Sequence, residues 1–440
     1  MREAVFLGGT DVFHLVHDRA MRALGLAGNQ CALAFELDGR LDVDRLIRKV
    51  ARAEALVPHL GVRLEAGLLR RARWALGSPM GRDRVRLVPF DGDVLAAVEA
   101  LFNQRATSDA RPWEIVVLRG PLRDAVLLPW FHSYTDAKGA ERLARWLGSG
   151  DGDELEPLPP GEELIRVRPR ALEGLDMRAR LDLARAYNEH ILRFARTPFV
   201  SLAKAAAGRP LGAMHFSRLN LSAEDSAALD RSIRARAKLA ESGLMLLVGA
   251  RMVDGALRRR GFASAQHMIP VPLSLDPKVG SSRMFGNHLT MMMFSLGRDD
   301  LADERRALAS LAEQQRAIVR DKLDLAMAAA LELVSVLPPR AYLGLATLPF
   351  GGEMSSLVLS NPGAVTLDRF CGVPVLDAYP LPAVVPRPGI ELIFSRHRGR
   401  FSATVGTYEG IVPRSEAVAM TASLRAELFG EGGATSAGLV

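Results

Sequence analysis

The sequence predicts an α/β (α+β) fold arranged in two parts. The chain has 440 residues, which is too long for one ordinary hydrophobic core and suits two domains of roughly 200 residues each. It is 48% hydrophobic and 24% charged, a composition typical of globular proteins. Strand-like and helix-like patterns follow one another in both parts. Pro157–Pro160, within a glycine-rich and acidic stretch, is the clearest linker, and we expect domains 1–174 and 175–440.

The first part opens with a predicted helix, strand and helix. Apolar residues at helical spacing predict a helix over Asp11–Leu26, and Gly28 can terminate it. Cys31–Leu37 has the composition of a strand. Leu41–Val57 is an amphipathic helix with Asp42 near its start. Alternating elements of this kind favour sheets covered by helices.

The second part repeats this mixture of helices and strands. Helices are expected over Leu175–Phe194, from Ser222, and over Leu239–Arg260, Leu301–Lys322, Leu323–Leu337 and Glu416–Phe429. Strands are expected over Gly212–Leu221, Met268–Leu275, His288–Leu296, Ser355–Ser360, Val373–Tyr379, Ile390–Ser395 and Phe401–Thr407.

One stretch, Val126–Gly139, carries the most chemical information. An apolar run ending at Phe131 is long enough for a buried strand, and it delivers His132 into a polar turn. A helix with apolar spacing then follows over Lys138–Leu147. A histidine at the end of a rigid strand is well placed to act as a general base near pH 7. A histidine satisfied within the core is the alternative for such a position.

The residues around His132 resemble a known catalytic motif. H-S-Y-T-D-A resembles the H-H-x-x-x-D-G motif of the CoA-dependent acyltransferase superfamily, which includes chloramphenicol acetyltransferase, nonribosomal condensation domains and wax ester synthase/diacylglycerol acyltransferases. His132 matches the second, catalytic histidine, and Asp136 matches the aspartate. Phe131 stands where the motif has its first histidine, and Ala137 where it has glycine.

Three further segments resemble the wax ester synthase branch, in the same order along the chain. R-P-W-E-I-V-V-L (Arg111–Leu118) is similar to the P-L-W segment before the histidine strand. V-P-L-S-L-D (Val271–Asp276) and M-F-G-N-H-L-T-M-M-M (Met284–Met293) resemble the V-P-V-S-L-R and G-N segments, and L-S-N-P-G (Leu359–Gly363) resembles S-N-x-P-G-P. The resemblance implies two chloramphenicol-acetyltransferase-like subdomains, each a mixed sheet with flanking helices, and an active-site tunnel between them.

The resemblance also implies roles for individual residues. His132 is the expected base. Asp136 is expected to pair with an arginine and hold the loop, a structural role. Because Asp276 stands where the family has that arginine, Arg283 is the expected substitute. The residues expected to bind substrate are Ser133, Tyr134, Asn287, Ser360 and Asn361.

The sequence offers no metal site and no resident cofactor. The histidines lack the spacing of metal ligands: His14 and His17 lie three residues apart, but no third ligand is evident. We expect acyl-CoA or an acyl-carrier protein as a co-substrate rather than a bound cofactor.

Charge and cysteine content narrow the partners and the compartment. The net charge of +7 suits CoA phosphates, an acidic carrier protein or anionic lipid headgroups, but there is no nucleic-acid-binding module. No apolar run is long enough to span a bilayer, although peripheral membrane contact is allowed. Two cysteines and an N-terminus without a signal-peptide pattern predict a cytoplasmic protein.

These observations predict an enzyme. It would move an acyl group from a thioester, preferably acyl-CoA, to a hydroxyl acceptor in lipid or secondary-metabolite biosynthesis. One alternative is a stand-alone condensation enzyme that takes its acyl group from a carrier protein and forms an ester or amide. Another is a catalytically degenerate member of the family that only binds an acyl group or a carrier.

Overall fold

The structure is a computed structural model that describes residues 4–67, 70–105, 107–150, 152–158, 164–165, 168–237, 241–276 and 283–430. The strands are β1 (Ala4–Phe6), β2 (Gln30–Leu37), β3 (Val62–Gly67), β4 (Arg70–Leu76), β5 (Val85–Pro89), β6 (Ile115–Arg119), β7 (Asp124–Phe131), β8 (Met214–Asn220), β9 (Gln266–Ser274), β10 (Leu289–Gly297), β11 (Val358–Val365), β12 (Arg369–Phe370), β13 (Val373–Leu381), β14 (Ile390–His397) and β15 (Arg400–Tyr408).

The helices are α1 (Gly9–Ala23), α2 (Val43–Leu56), α3 (Val94–Asn103), α4 (Ala137–Gly148), α5 (Met177–Phe194), α6 (Leu202–Ala205), α7 (Ala223–Ala237), α8 (Glu241–Arg259), α9 (Arg298–Ala302), α10 (Glu304–Arg320), α11 (Leu323–Val334), α12 (Pro339–Thr347) and α13 (Arg414–Phe429).

A six-stranded mixed sheet organises the first part of the molecule. Its strand order is β12-β13-β2-β7-β6-β5, and only the β5–β6 pair in it is parallel. β2 and β7 lie at its centre, with Cys31 opposite Trp130 and Gln30 opposite Phe131. Every residue of β7 is buried, as expected for a strand covered on both faces. The end of β7 is therefore a rigid place from which to present His132.

A four-stranded mixed sheet organises the second part. Its order is β11-β14-β15-β8, with β11 parallel to β14 and the other pairs antiparallel. β9 and β10 form a separate two-stranded sheet, and β1, β4 and β3 form a three-stranded one. Helices α7, α8 and α13 pack against the four-stranded sheet. The described residues thus form the mixed α/β architecture that the sequence predicts.

The two parts exchange elements. β13 comes late in the chain, yet it pairs with β2 in the six-stranded sheet. In the opposite direction, α3 packs against β8. A division at residues 174/175 stays a prediction, since elements from both sides of it share one sheet. Of the expected linker, Pro159 and Pro160 lie outside the described residues.

Local sequence explains why the helix after β7 begins where it does. The Asp136 side chain accepts a 2.9 Å hydrogen bond from the backbone N–H of Gly139 and so caps the first turn of α4. Leu143, Trp146 and Leu147 recur at helical spacing and are buried. The strand, turn and amphipathic helix around His132 therefore follow from sequence signals within 25 residues of one another.

Candidate active site

A cavity of about 640 Å³ lies between the two sheets. Residues from both parts of the chain line it, including Trp130 and His132 from the first part and Met291 and Ile393 from the second. Most of the wall is built from leucine, methionine, proline and aromatic side chains. Such a lining suits an apolar ligand and lowers the local dielectric constant.

His132 follows directly after β7 and lines this cavity. Its backbone is held on both sides: its N–H donates to the Asn29 carbonyl at 3.0 Å, and its carbonyl accepts from Asn287 Nδ2 at 2.7 Å. Nδ1 of the ring is buried. Burial lowers the pKa of the His132 imidazole, although the backbone carbonyl of His132 itself and the Asp136 carboxylate oppose this. The ring is therefore neutral near pH 7, the form that accepts a proton.

A second histidine stacks on His132. His14, on α1, lies with its ring centroid 3.5 Å from that of His132 and the two planes 12° apart. Asn29 Nδ2 faces Nδ1 of His14 at 3.3 Å, and because an amide N–H can only donate, the proton of the His14 ring lies on Nε2. Burial, with the nearby His132 and His17 rings, keeps the pKa of His14 well below its usual value.

His17 lies one helical turn after His14 and also lines the cavity. Burial, together with the His132 ring, lowers its pKa to about 4. The three rings are thus an uncharged group at neutral pH. Among the described residues, no group of three or more histidine, cysteine or acidic side chains is arranged to hold a metal ion. We expect His14 and His17 to act through shape and hydrogen bonding.

The loop after His132 is held by a buried ion pair. Arg283 Nη2 lies 2.5 Å from Asp136 Oδ2 and 2.7 Å from Asp276 Oδ2. Burial lowers the pKa of the Arg283 guanidinium, but Asp136 and Asp276 outweigh that effect and raise it. One arginine therefore bridges two carboxylates and connects the His132 loop to the second part of the chain.

Asp276 extends this network to His288. Its Oδ1 lies 2.7 Å from Nδ1 of His288. Burial raises the pKa of Asp276, but the His288 hydrogen bond and the Arg283 charge outweigh this and hold it at about 2. Asp276, which the resemblance aligns with an arginine of the family, accepts from Arg283 Nε at 2.8 Å and so helps to orient the guanidinium.

Close packing also fixes the loop. Thr135 Oγ1 donates to the Met284 carbonyl at 2.6 Å, and the Gly286 N–H donates to the Tyr134 carbonyl at 2.8 Å. A Cβ added at Gly139 would lie 2.1 Å from Thr135 Oγ1 and 2.5 Å from the Met284 carbonyl oxygen. Gly139 therefore permits the approach that the loop needs.

Structural comparison identifies this architecture. The chain resembles trichothecene 15-O-acetyltransferase from Fusarium sporotrichioides, at 14% identity, over 97% of this chain and 95% of that one, with a TM-score of 0.72. It also resembles the first condensation domain of the calcium-dependent antibiotic synthetase, at 16% identity, over 98% of each chain, with a TM-score of 0.69. The chain has the fold of the CoA-dependent acyltransferases and condensation domains.

A third structure of this fold is the wax ester synthase/diacylglycerol acyltransferase from Marinobacter aquaeolei VT8. It is 14% identical over 96% of this chain and 98% of that one, with a TM-score of 0.60. By sequence, neither a family model nor a curated protein matches. The likeness is therefore one of fold, and it confirms the two-subdomain, chloramphenicol-acetyltransferase-like architecture that the partial motifs predict.

Phe131 is the residue that the sequence resemblance aligns with the first histidine of the motif. Its side chain is fully buried and meets Trp74 edge to face, with ring centroids 6.1 Å apart. Successive residues of a strand point to opposite faces, and Trp130 and His132 line the cavity while Phe131 does not. Phenylalanine at this position therefore fills the core and leaves the cavity untouched.

Three expected substrate-binding residues lie outside the cavity wall. Ser133 is buried and donates from Oγ to the Asp11 carbonyl at 2.9 Å. Tyr134 is also buried, and its hydroxyl donates to the His59 carbonyl at 2.9 Å. Asn287 donates from Nδ2 to the Asp11 carboxylate at 2.9 Å and to the His132 carbonyl. The hydroxyl donors of Ser133 and Tyr134 and the amide donor of Asn287 are thus bound to the protein, where they support the loop.

Ser360 and Asn361 separate in the structure. Ser360, on β11, lines the cavity. Asn361 falls in the irregular segment where β11 shifts register between Ser360 and Gly363, and its side chain is exposed. Its Oδ1 accepts from the Gly363 N–H at 3.1 Å. Of the two expected binding residues at this strand, only Ser360 faces the cavity.

The described part of this fold contains no helix that is both long and apolar enough to cross a membrane.

Proposed function

We propose that the protein is an acyltransferase that moves an acyl group from a thioester to a hydroxyl acceptor, with His132 as the general base. The observation that carries this proposal is a neutral, rigidly held imidazole in the wall of a large apolar cavity. The fold is one in which acetyltransferases and condensation domains are found. Lipid or secondary-metabolite biosynthesis is the setting that such a cavity suits.

The chemistry follows from the two ring nitrogens of His132. Nδ1 is buried in the protein, which leaves Nε2 as the nitrogen that can accept the proton of the acceptor hydroxyl. The alkoxide oxygen then forms a bond to the thioester carbonyl carbon. Collapse of the tetrahedral intermediate breaks the carbon–sulfur bond, and the thiolate takes the proton from His132. The base returns neutral, and no covalent acyl-enzyme is required.

Water exclusion is the second contribution of the site. The apolar wall strengthens each electrostatic interaction inside it and keeps water from hydrolysing the thioester. The ion pair of Asp136 with Arg283 is buried and holds the loop that carries His132, and the Asp136 charge also partly offsets the lowering of the His132 pKa. In this proposal Asp136 and Arg283 are positioning residues, and His132 alone is catalytic.

The donor is proposed to be acyl-CoA, on the strength of the segments that resemble wax ester synthases and the net charge of +7. A carrier-protein donor, with an ester or amide as product, is the second candidate, because the condensation-domain comparison has a TM-score of 0.69 and the wax ester synthase comparison one of 0.60.

The test is thiol release from acyl-CoAs of increasing chain length, with alcohol and amine acceptors supplied together and then separately. We expect release that requires an acceptor and increases with chain length. Release only when the acyl group is attached to a carrier protein would favour the condensation reaction. Absence of transfer from either donor would contradict the enzyme and favour a protein that only binds.

A further inference from the structure

A carboxyl group, Glu391, lies in the cavity wall opposite the histidine side. The first five residues of β14 alternate: Ile390, Leu392 and Phe394 belong to the hydrophobic core, whereas Glu391 and Ile393 line the cavity. This is the period of two expected of a strand with one face on the core. The backbone therefore directs the Glu391 side chain into an apolar space.

No cation compensates this carboxyl group within the described residues. None of these residues donates a hydrogen bond to the Glu391 side chain or forms an ion pair with it. Arg387 also lines the cavity, but it pairs with Glu353 at 3.1 Å and donates to the Gly352 carbonyl at 3.0 Å. Burial alone raises the pKa of Glu391, to about 8. An uncompensated acid in an apolar wall is unfavourable for folding.

The surroundings of Glu391 are those of a small polar subsite. Glu391 is in register with Val358 of β11, and Ser360, two residues further along β11, lines the cavity beside it. Diagonal neighbours on adjacent strands are within reach of a common ligand. Cys31, from the six-stranded sheet, lines the same cavity. Burial raises the pKa of its thiol, and the Glu391 charge adds to that effect. Glu391, in the wall formed by the four-stranded sheet, thus points toward the wall formed by the six-stranded sheet.

We propose that Glu391 binds a protonatable nitrogen on an otherwise apolar substrate. A primary alkylamine is already an ammonium ion at pH 7, so when it binds, the carboxyl proton of Glu391 is released to solvent and a carboxylate–ammonium pair forms. Each charge then compensates the other, which a hydroxyl or hydrocarbon ligand cannot achieve. Ser360 Oγ offers an additional hydrogen bond to the same ammonium group.

This nitrogen is distinct from the reacting group. Glu391 lies on β14 of the four-stranded sheet, whereas His132 follows β7 of the six-stranded sheet, and both line the cavity. The amine at Glu391 therefore selects and orients the substrate while a hydroxyl elsewhere on it, or on a second substrate, reaches His132. The inference rests on the proposed function, because the amine is a substrate only if the protein is an acyltransferase. Binding of the amine can nevertheless be tested without turnover.

The experiment measures binding of 1-aminodecane and 1-decanol to the full chain by titration calorimetry at pH 7. The two probes share an apolar tail and differ only in the head group. The wild type is expected to bind the amine about ten-fold more tightly than the alcohol. Glu391→Gln, of the same shape but unable to ionise, should remove that preference while changing alcohol affinity less than about three-fold.

Two further variants complete the test. Glu391→Met is a second route to an uncharged wall, and it should behave like Glu391→Gln. Glu154→Gln removes an exposed carboxylate, with 83% of its side-chain surface accessible, and should change neither affinity.

Three results would overturn the inference: equal binding of both probes by the wild type, an amine preference that survives in both Glu391 variants, or no binding of the amine. Each can be told apart from failure of the proposed function. Loss of the inference leaves acceptor-dependent thiol release intact, whereas loss of the function leaves the amine preference intact but abolishes thiol release.

Discussion

The carboxyl groups on the two sides of the cavity differ in whether the protein supplies them with a cation. On the His132 side, Asp136, Arg283 and Asp276 form a compensated network, with distances of 2.5 Å and 2.7 Å from the guanidinium to the two carboxylates. On the β14 side, Glu391 has no cation among the described residues. Both sites contain carboxyl groups, with Asp136 buried and Glu391 half-buried, but only one supplies a partner from the protein itself.

The difference separates support from recognition. A compensated network resists movement because loss of one charged group leaves the other charges unpaired in a medium of low dielectric constant. That is what a loop carrying a general base requires. An uncompensated group reduces stability and is explained most simply by a ligand that provides the missing charge. Substitutions on each side of the cavity test this difference.

The largest loss of stability is expected at the compensated side. Asp136→Ala leaves the Arg283 charge with one carboxylate instead of two and removes the cap of α4. We expect a loss of about 3–5 kcal/mol in the free energy of unfolding, the range for breaking a buried pair. Urea denaturation followed by circular dichroism would measure it.

The control for that prediction is an exposed pair. Arg48 and Asp153 lie 2.8 Å apart with side-chain exposures of 54% and 48%. Asp153→Ala should leave the midpoint of denaturation unchanged, because solvent screens such pairs. Equal effects of Asp136→Ala and Asp153→Ala would contradict the view that the buried network holds the loop.

An effect of opposite sign is expected at the uncompensated side. Because the pKa of Glu391 is raised to about 8, the folded chain keeps a proton that the unfolded chain loses as pH rises. Wild-type stability therefore falls between about pH 4.5 and pH 8 relative to Glu391→Gln. We expect the variant to be more stable than the wild type by up to about 5 kcal/mol at pH 9, with little difference at pH 4.

Melting temperatures of both proteins across this range give the answer. Other groups that face Glu391, such as the Cys31 thiol and Arg387, are the same in the two proteins, so the difference reports Glu391. A Glu391→Gln variant that is less stable than the wild type at pH 9 would show that the carboxylate has a partner after all.

The smallest effect is expected in the pH dependence of turnover. Burial lowers the pKa of His132 below its ordinary value of 6.5, and the base must be unprotonated to act. Turnover should therefore change less than about two-fold between pH 7 and pH 8 and should fall only below pH 6.5. An acid limb centred above pH 7 would mean that a partner stabilises the protonated ring, contrary to the neutral histidine group described above.

Much of the fold was predictable because its signals are local. The helix expected over Leu41–Val57 is observed as α2, Val43–Leu56, with Asp42 capping it at Arg45. The strand ending at Phe131 and the helix after it are likewise observed. In each case, apolar spacing and a capping side chain act within one element.

The sequence led us to expect neither helix α3 nor helix α12. α3 has a capping side chain, Asp93, which accepts from the Ala96 N–H at 2.9 Å, and its buried face packs against β8 in the other part of the chain. α12 follows two prolines and leaves Leu345 55% exposed. Periodicity is informative for a helix with one buried and one exposed face, and α12 lacks it because Tyr342 is its one buried residue.

The candidate site was only partly predictable for the same reason. His132 and Asp136 are close in sequence, but the stacking of His14 on His132 depends on how α1 packs. The sequence placed Ser133 and Tyr134 in the pocket because they neighbour His132. The direction of each side chain in the turn is set by tertiary contacts to Asp11 and His59.

The position of Glu391 in the cavity wall could not be predicted from the sequence pattern. In the sequence it is one polar residue in the strand I-E-L-I-F-S, a pattern typical of a solvated strand face. Only the packing of the two sheets turns that face into the wall of an apolar cavity.

The most direct test of the account is the turnover of His132→Ala beside that of the wild type, measured as acceptor-dependent thiol release with the preferred donor. We expect the alanine variant to be slower by about 10²–10⁴-fold, the usual contribution of a general base, with an unchanged melting temperature. His190→Ala, outside the cavity wall, should retain full activity. Equal rates for His132→Ala and the wild type would contradict the proposed mechanism, because His132 would then not be the general base.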